Sequence, residues 1–238
     1  MGMFQWMRQV SKLGSQDPGA IFEQSTPQQL SFIRQLQKDL KKEQPLTRQL
    51  KDLQVTVLDL ETSGFFPDRG DQILSIGGVK IKEGKVQNEK VFYSLVNAPH
   101  ALSEEISELT GLRKDELEKA PSLARALNSF YRFAGTDVLV AHHASHERKF
   151  LQHATYQVLG SQFRHRLLDT SFLLKIAAPD VPLKTLDDCC NHYGIPIEKR
   201  HHALEDALIT AELWKCMVEI VERKGYQTLQ EIYAFLNS

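Results

Sequence analysis

The chain has 238 residues, 42% of them hydrophobic and 25% charged, with a formal net charge of −1. That composition belongs to a globular protein long enough for one large core and an appendage. It excludes a basic field that could grip long duplex nucleic acid, so any such contact has to be local. The mild positive bias sits in residues 1–52, where eight Lys and Arg face five acids, leaving −4 for the remainder.

Three cysteines, Cys189, Cys190 and Cys216, are odd in number and lack metal-ligand spacing, which fits thiols in a reducing compartment. No signal peptide or membrane-spanning run is legible, so a cytoplasmic protein without a membrane partner is expected. Residues 1–13 have the spacing of a short amphipathic helix through Phe4, Met7 and Val10 before Gly14 and Asp17-Pro18-Gly19 break it. A second helix starts at Thr26-Pro27 and runs to about Lys42 with Leu30, Ile33, Leu36 and Leu40 as its stripe; Pro45 ends it. Inside it, Gln29-Leu30-Ser31-Phe32-Ile33 loosely resembles the peptides that bind sliding clamps, although its leucine and isoleucine already serve the stripe.

Val55–Leu60 (VTVLDL) predicts a central strand buried on both faces, closed by Thr62-Ser63-Gly64. Asp59 and Glu61 lie two residues apart on it, so both carboxylates project from one face, about 6–7 Å apart. Two like charges at the rim of an apolar strand persist most easily where a divalent cation offsets them; the plainer alternative is a solvated strand end.

Gln72–Lys82 and Lys85–Val96 read as strands around the Glu83-Gly84 turn, which makes the first three strands an antiparallel meander. Helices follow at Ser103–Thr110, closed by Gly111, and at Ser122–Ala134. Asp137–Ala141 is a short apolar strand feeding His142-His143-Ala144-Ser145-His146-Glu147 and a helix through Phe150, Leu151, Ala154 and Val158. Leu167–Thr170 is one more strand, Thr185–Tyr193 a helix stopped by Gly194, and Ala203–Arg223 the last long helix. Helices alternating with strands after a meander predict an α/β protein with a mixed sheet.

Acids therefore close three apolar elements: Asp59 with Glu61, Glu147 at the head of a helix, and Asp206 in the first turns of another. His201 precedes Asp206 by five residues, where the chain is entering the helix, so its imidazole can turn toward the same cleft. Four oxygen donors and one group titrating near neutrality suggest two divalent ions and a general base.

Together and in this order, Asp59-Leu60-Glu61-Thr62, Val140–Glu147 and Arg200–Ala207 resemble the three motifs of the DEDDh (DnaQ-like) 3′→5′ exonucleases, with Leu109-Thr110-Gly111-Leu112 and Leu168-Asp169-Thr170 also familiar there. The resemblance covers about residues 52–222. It implies an RNase H-like five-stranded mixed sheet flanked by helices, with residues 1–50 as a helical N-terminal extension and 51–238 as the exonuclease domain. It implies cleavage at the 3′ ends of nucleic acid, DNA more than RNA, with release of nucleoside 5′-monophosphates. Partners would include a DNA polymerase and, more weakly, a sliding clamp.

The same resemblance implies two Mg²⁺ or Mn²⁺ ions about 3.5–4 Å apart on Asp59, Glu61, Glu147 and Asp206, with His201 as the base. Spacing to Asp206 favours His201 over His202. Leu60, Thr62, Phe65 and His143 would meet substrate, with Phe65 and Phe66 offering rings to a terminal base, although core packing explains these two phenylalanines equally well. Two positions depart from the family pattern, His143 where Asn is usual and Glu147 where Asp is usual. His142, His143 and His146 also raise a zinc alternative against hydrogen-bonded histidines at a helix start.

Overall fold

The structure, a computed structural model, describes residues 26–237. The expectation of a helix over residues 1–13 lies outside them. The sheet has five strands in the order β3-β2-β1-β4-β5. Strands β1 (Val55–Thr62), β2 (Ile73–Lys82) and β3 (Lys85–Leu95) form the antiparallel meander, and β4 (Val138–Ala141) and β5 (Leu167–Asp169) run parallel to β1 and to each other.

The alternation along β1 assigns its two faces. Val55 and Val57 point into a core shared with the long helix α8 (Ala203–Arg223), while Leu58 and Leu60 point into a second core with α4 (Leu123–Ala134) and α5 (Ser145–Leu159). Both faces are apolar because both are covered. Helix α1 (Pro27–Leu40) starts in a capping box, with Gln29 N–H on Thr26 Oγ1 and the Gln29 amide oxygen accepting from Thr26 N–H. It buries Ile33 and Leu36 in the second core, packs Leu30 and Phe32 beside them, and seats Phe32 under Arg132 at 4.2 Å. The side chains that a sliding clamp would need are thus packed against the protein itself.

Between β3 and α4 lie α2 (Glu104–Thr110), ended by Gly111 at φ 73°, and α3 (Lys114–Lys119); between β5 and α8 lie α6 (Ser171–Ala177) and α7 (Leu186–Tyr193); α9 (Leu229–Leu236) follows α8. The sequence reading missed α3, α6 and α9. A bridge between Gln49 and Thr228 ties the segment before β1 to the start of α9. Among the described residues no helix is long and apolar enough to cross a membrane.

Candidate active site

Strand β1 delivers Asp59 and Glu61 to the carboxyl end of the sheet on the α8 side. Opposite Asp59 on β2 stands Gly77, where a Cβ would come within 2.2 Å of the Ala203 carbonyl group. The first turn of α8 can therefore lie directly on β2, which brings Asp206 beside Asp59 and Glu61. Oxygens of these three carboxylates lie within 4.8 Å of one another. A register shift between Glu61 and Thr62 ends the regular pairing of β1 with β2 just past the acids, a bulge where strands often re-aim side chains.

Asp206 is buried and held from two directions. Its Oδ1 accepts from Arg200 Nη1, which also reaches Asp187 Oδ1 through Nε at 2.8 Å, and its Oδ2 accepts from the His201 backbone N–H at 3.0 Å. The backbone turns at His201 in the left-handed region, φ 58°. This leaves the His201 imidazole exposed at the cavity rim, while His202 stacks on Tyr93 with ring centroids 4.6 Å apart. Of the two histidines, His201 lines the cavity and His202 does not.

Glu147 comes from the other face of the sheet, in the first turn of α5. It is buried, its Oε2 meets no hydrogen-bond partner among the described residues, and it stands outside the group of three. Burial pushes its carboxyl up to about 8; the Glu147 backbone N–H opposes the rise, and Asp169 and Glu61 add to it. Burial first and the Asp206 charge second raise Glu61 to about 7, with Arg200 opposing. Asp59 is held well above the usual carboxylate range by burial and then by the charges of Glu147, Glu61 and Asp206. Desolvated like charges and an orphaned carboxylate oxygen are costly together, and a divalent cation with a preference for oxygen offsets the cost. The donor set, all carboxylate, fits Mg²⁺ or Mn²⁺ better than softer metals.

The cavity around these acids measures about 810 Å³ and is also lined by Leu60, Thr62, Phe65, Leu109, His143 and His146. Phe65 is 71% exposed and packs T-shaped against His146 with ring centroids 5.7 Å apart. Thr62 Oγ1 donates to the Gly64 carbonyl at 2.8 Å and sits 3.1 Å from His146 Nε2. His143, at φ 56°, has Nε2 2.6 Å from the Lys184 carbonyl; among residues other than glycine, Asn, Asp and His are enriched at such backbone angles, so either Asn or His suits this position. His142 Nδ1 lies 2.7 Å from Thr170 Oγ1, and burial pushes the ring down to about 4. Each histidine of the trio thus has a hydrogen-bond partner of its own, and the potential metal group among the described residues is the acidic one. Phe66 lies outside the cavity lining, beneath Arg69 at 4.7 Å. Asp169 accepts at 2.8 Å from the backbone N–H of Ser171, the first residue of α6.

Arg200 and Asp187, which hold Asp206, went unrecognised in the sequence; so did Gly77. Arg200 stands inside the third motif, but its partner lies on another helix, and no spacing rule links them.

The central strand of a mixed sheet and the first turn of α8 thus bring three carboxylates together beside a histidine, a donor set suited to an oxygen-preferring divalent cation. Residues 56–214 match the exonuclease family RNase_T, and the chain belongs to that family. It is 33% identical over 178 residues to the PolC-type DNA polymerase III of Oceanobacillus iheyensis, covering 74% of this chain and 12% of that protein. It is 30% identical over 170 residues to the DNA polymerase III epsilon subunit of Aquifex aeolicus, covering 71% and 83%. The chain spans 12–13% of the length of the first PolC-type relatives it matches. Among solved structures, the nuclease domain of 3′hExo, a DEDDh family member bound to rAMP, shares the fold with a TM-score of 0.58, 18% identity, and coverage of 70% of this chain and 92% of that one.

Proposed function

We propose that the protein removes nucleotides one at a time from the 3′ end of single-stranded or frayed DNA, releasing nucleoside 5′-monophosphates, in proofreading or repair beside a DNA polymerase. The observation that carries this reading is the convergence of Asp59, Glu61 and Asp206 oxygens within 4.8 Å. The polymerase III names of its relatives favour DNA over RNA and a polymerase as partner. The reading sets the protein in the cytoplasm, and the free thiols of Cys189, Cys190 and Cys216 agree with a reducing compartment.

Asp59, Glu61 and Asp206 would hold the divalent ions, and Glu147 would complete the set with its unpartnered oxygen. Bound there, the ions would supply Lewis-acid polarisation and offset the charge on the leaving 3′ oxygen. His201, free at the rim, takes the proton from the attacking water. Arg200 keeps the Asp206 carboxylate in place, so little reorganisation is left for the reaction itself. Phe65 offers its exposed face to the terminal base, and Leu60, Thr62 and His143 border the sugar and phosphate.

Digestion of 5′-end-labelled DNA and RNA oligomers side by side, with Mg²⁺ or Mn²⁺, tests the reading. A ladder shortening from the 3′ end, faster on DNA, is expected. Faster loss of RNA would make the protein an exoribonuclease, and inert oligomers with both metals would leave a 3′-end-binding module.

A further inference from the structure

At the other end of the sheet, about 16 Å from Asp59 by the rise of β1 back to Gln54, lies a cavity of about 440 Å³. Arg48, Arg148, Arg164 and Arg166 all line it. Its two acids are already engaged. Asp137 meets Lys80 Nζ at 2.6 Å and accepts from Thr56 Oγ1 at 2.8 Å, and Glu43 pairs with Arg48 at 3.1 Å. Arg148 donates to the neutral Leu167 carbonyl at 2.5 Å, and the guanidinium groups of Arg164 and Arg166 have no ion pair or hydrogen bond among the described residues.

Three guanidinium charges without a carboxylate thus face one concavity in a protein whose net charge is −1. They repel one another, and a concave wall focuses their field outward. An anion with several acceptor oxygens relieves that repulsion and uses the planar donor fork of arginine in pairs. Leu40, Glu43, Pro45, Arg48 and Tyr233, which close the cavity, lie outside the matched residues 56–214, so this wall belongs to the parts of the chain added to the exonuclease core.

We propose that this cavity binds a phosphate-bearing anion through Arg148, Arg164 and Arg166, either a free nucleotide or pyrophosphate, or a phosphate of a nucleic-acid strand. It is separate from the acidic site, which repels anions when no metal is bound.

Calorimetric titration of the full chain in EDTA, with inorganic pyrophosphate, ADP and a ten-nucleotide DNA strand as separate probes, tests it. At least one probe is expected to bind once per chain and to lose tenfold or more in affinity in the R164Q/R166Q double variant. The R164K/R166K variant keeps the charge but not the fork and is expected to fall between. Both arginines are exposed, so thermal melting and exonuclease activity should match wild type. Binding of pyrophosphate or ADP identifies a small ligand, and binding of the strand alone identifies a backbone contact. Absence of binding by all three up to millimolar concentration, or binding unchanged in R164Q/R166Q, would overturn the proposal.

Discussion

Asp59 stands where three other carboxylates press on it, and its neutral replacement tests what that crowding is for. Asp59→Asn should reduce strand degradation by at least about 10²-fold while leaving the fold intact, because an amide keeps the shape and loses the charge that holds the ions. His201→Ala, measured by single-turnover digestion at saturating metal, should slow cleavage by roughly 10²–10⁴-fold with little change in the metal concentration required. The raised carboxyls set the pH response. Glu61 at about 7 and Glu147 at about 8 hold protons in the folded protein that an unfolded chain would release near 4.5. Without metal, the folded state therefore binds more protons across that interval, and stability should fall as pH rises from about 5 to about 8. Metal must displace those protons, so Mn²⁺ affinity should rise over the same interval and flatten above it. A calorimetric series in Mn²⁺ whose affinity is flat between pH 6 and 8 would contradict these protonation states.

At the scale of elements, the site depends on how closely α8 approaches β2. Gly77→Ala would drive a methyl group into the Ala203 backbone, which cannot give way as a flexible side chain would. The start of α8 would shift, carrying Asp206 from Asp59, and the variant should lose about 1–3 kcal/mol of stability along with most of its activity. Denaturant unfolding and Mn²⁺ titration of the same sample separate those two effects. Beneath the sheet, Lys80 joins β2 to the Ala134 carbonyl at 2.9 Å and to Asp137, the residue before β4. Lys80→Met leaves Asp137 largely buried with only Thr56 for a partner, and a loss of about 2–3 kcal/mol in denaturant unfolding is expected.

Over the whole molecule, what could be seen in the sequence was what local spacing encodes. The two faces of β1, the meander around Glu83-Gly84, the Thr26-Pro27 start of α1 and the Gly111 and Gly194 stops all follow from periodicity and turn chemistry, and each acid was marked by closing an apolar element. Helices α3 and α6, with six and seven residues, are too short for a helical period to show. Helix α9 was legible after all, since Thr228 and Glu231 form a capping box ahead of it, and that signal was overlooked. The Arg200 bridge from Asp187 to Asp206, the Lys80–Asp137 pair and the fit of Gly77 under α8 are meetings of distant residues, which no local pattern announces.

If the acids exist to hold cations, metal should stabilise the entire fold. Manganese at about a hundred times its dissociation constant should add about 2.7 kcal/mol in wild type and little in Asp59→Asn.

Anomalous scattering from a manganese-soaked crystal tests the central claim most directly. Density for ions is expected between Asp59, Glu61 and Asp206, with Glu147 turned toward it. A well-ordered crystal at millimolar manganese with no anomalous peak among those carboxylates would contradict the account.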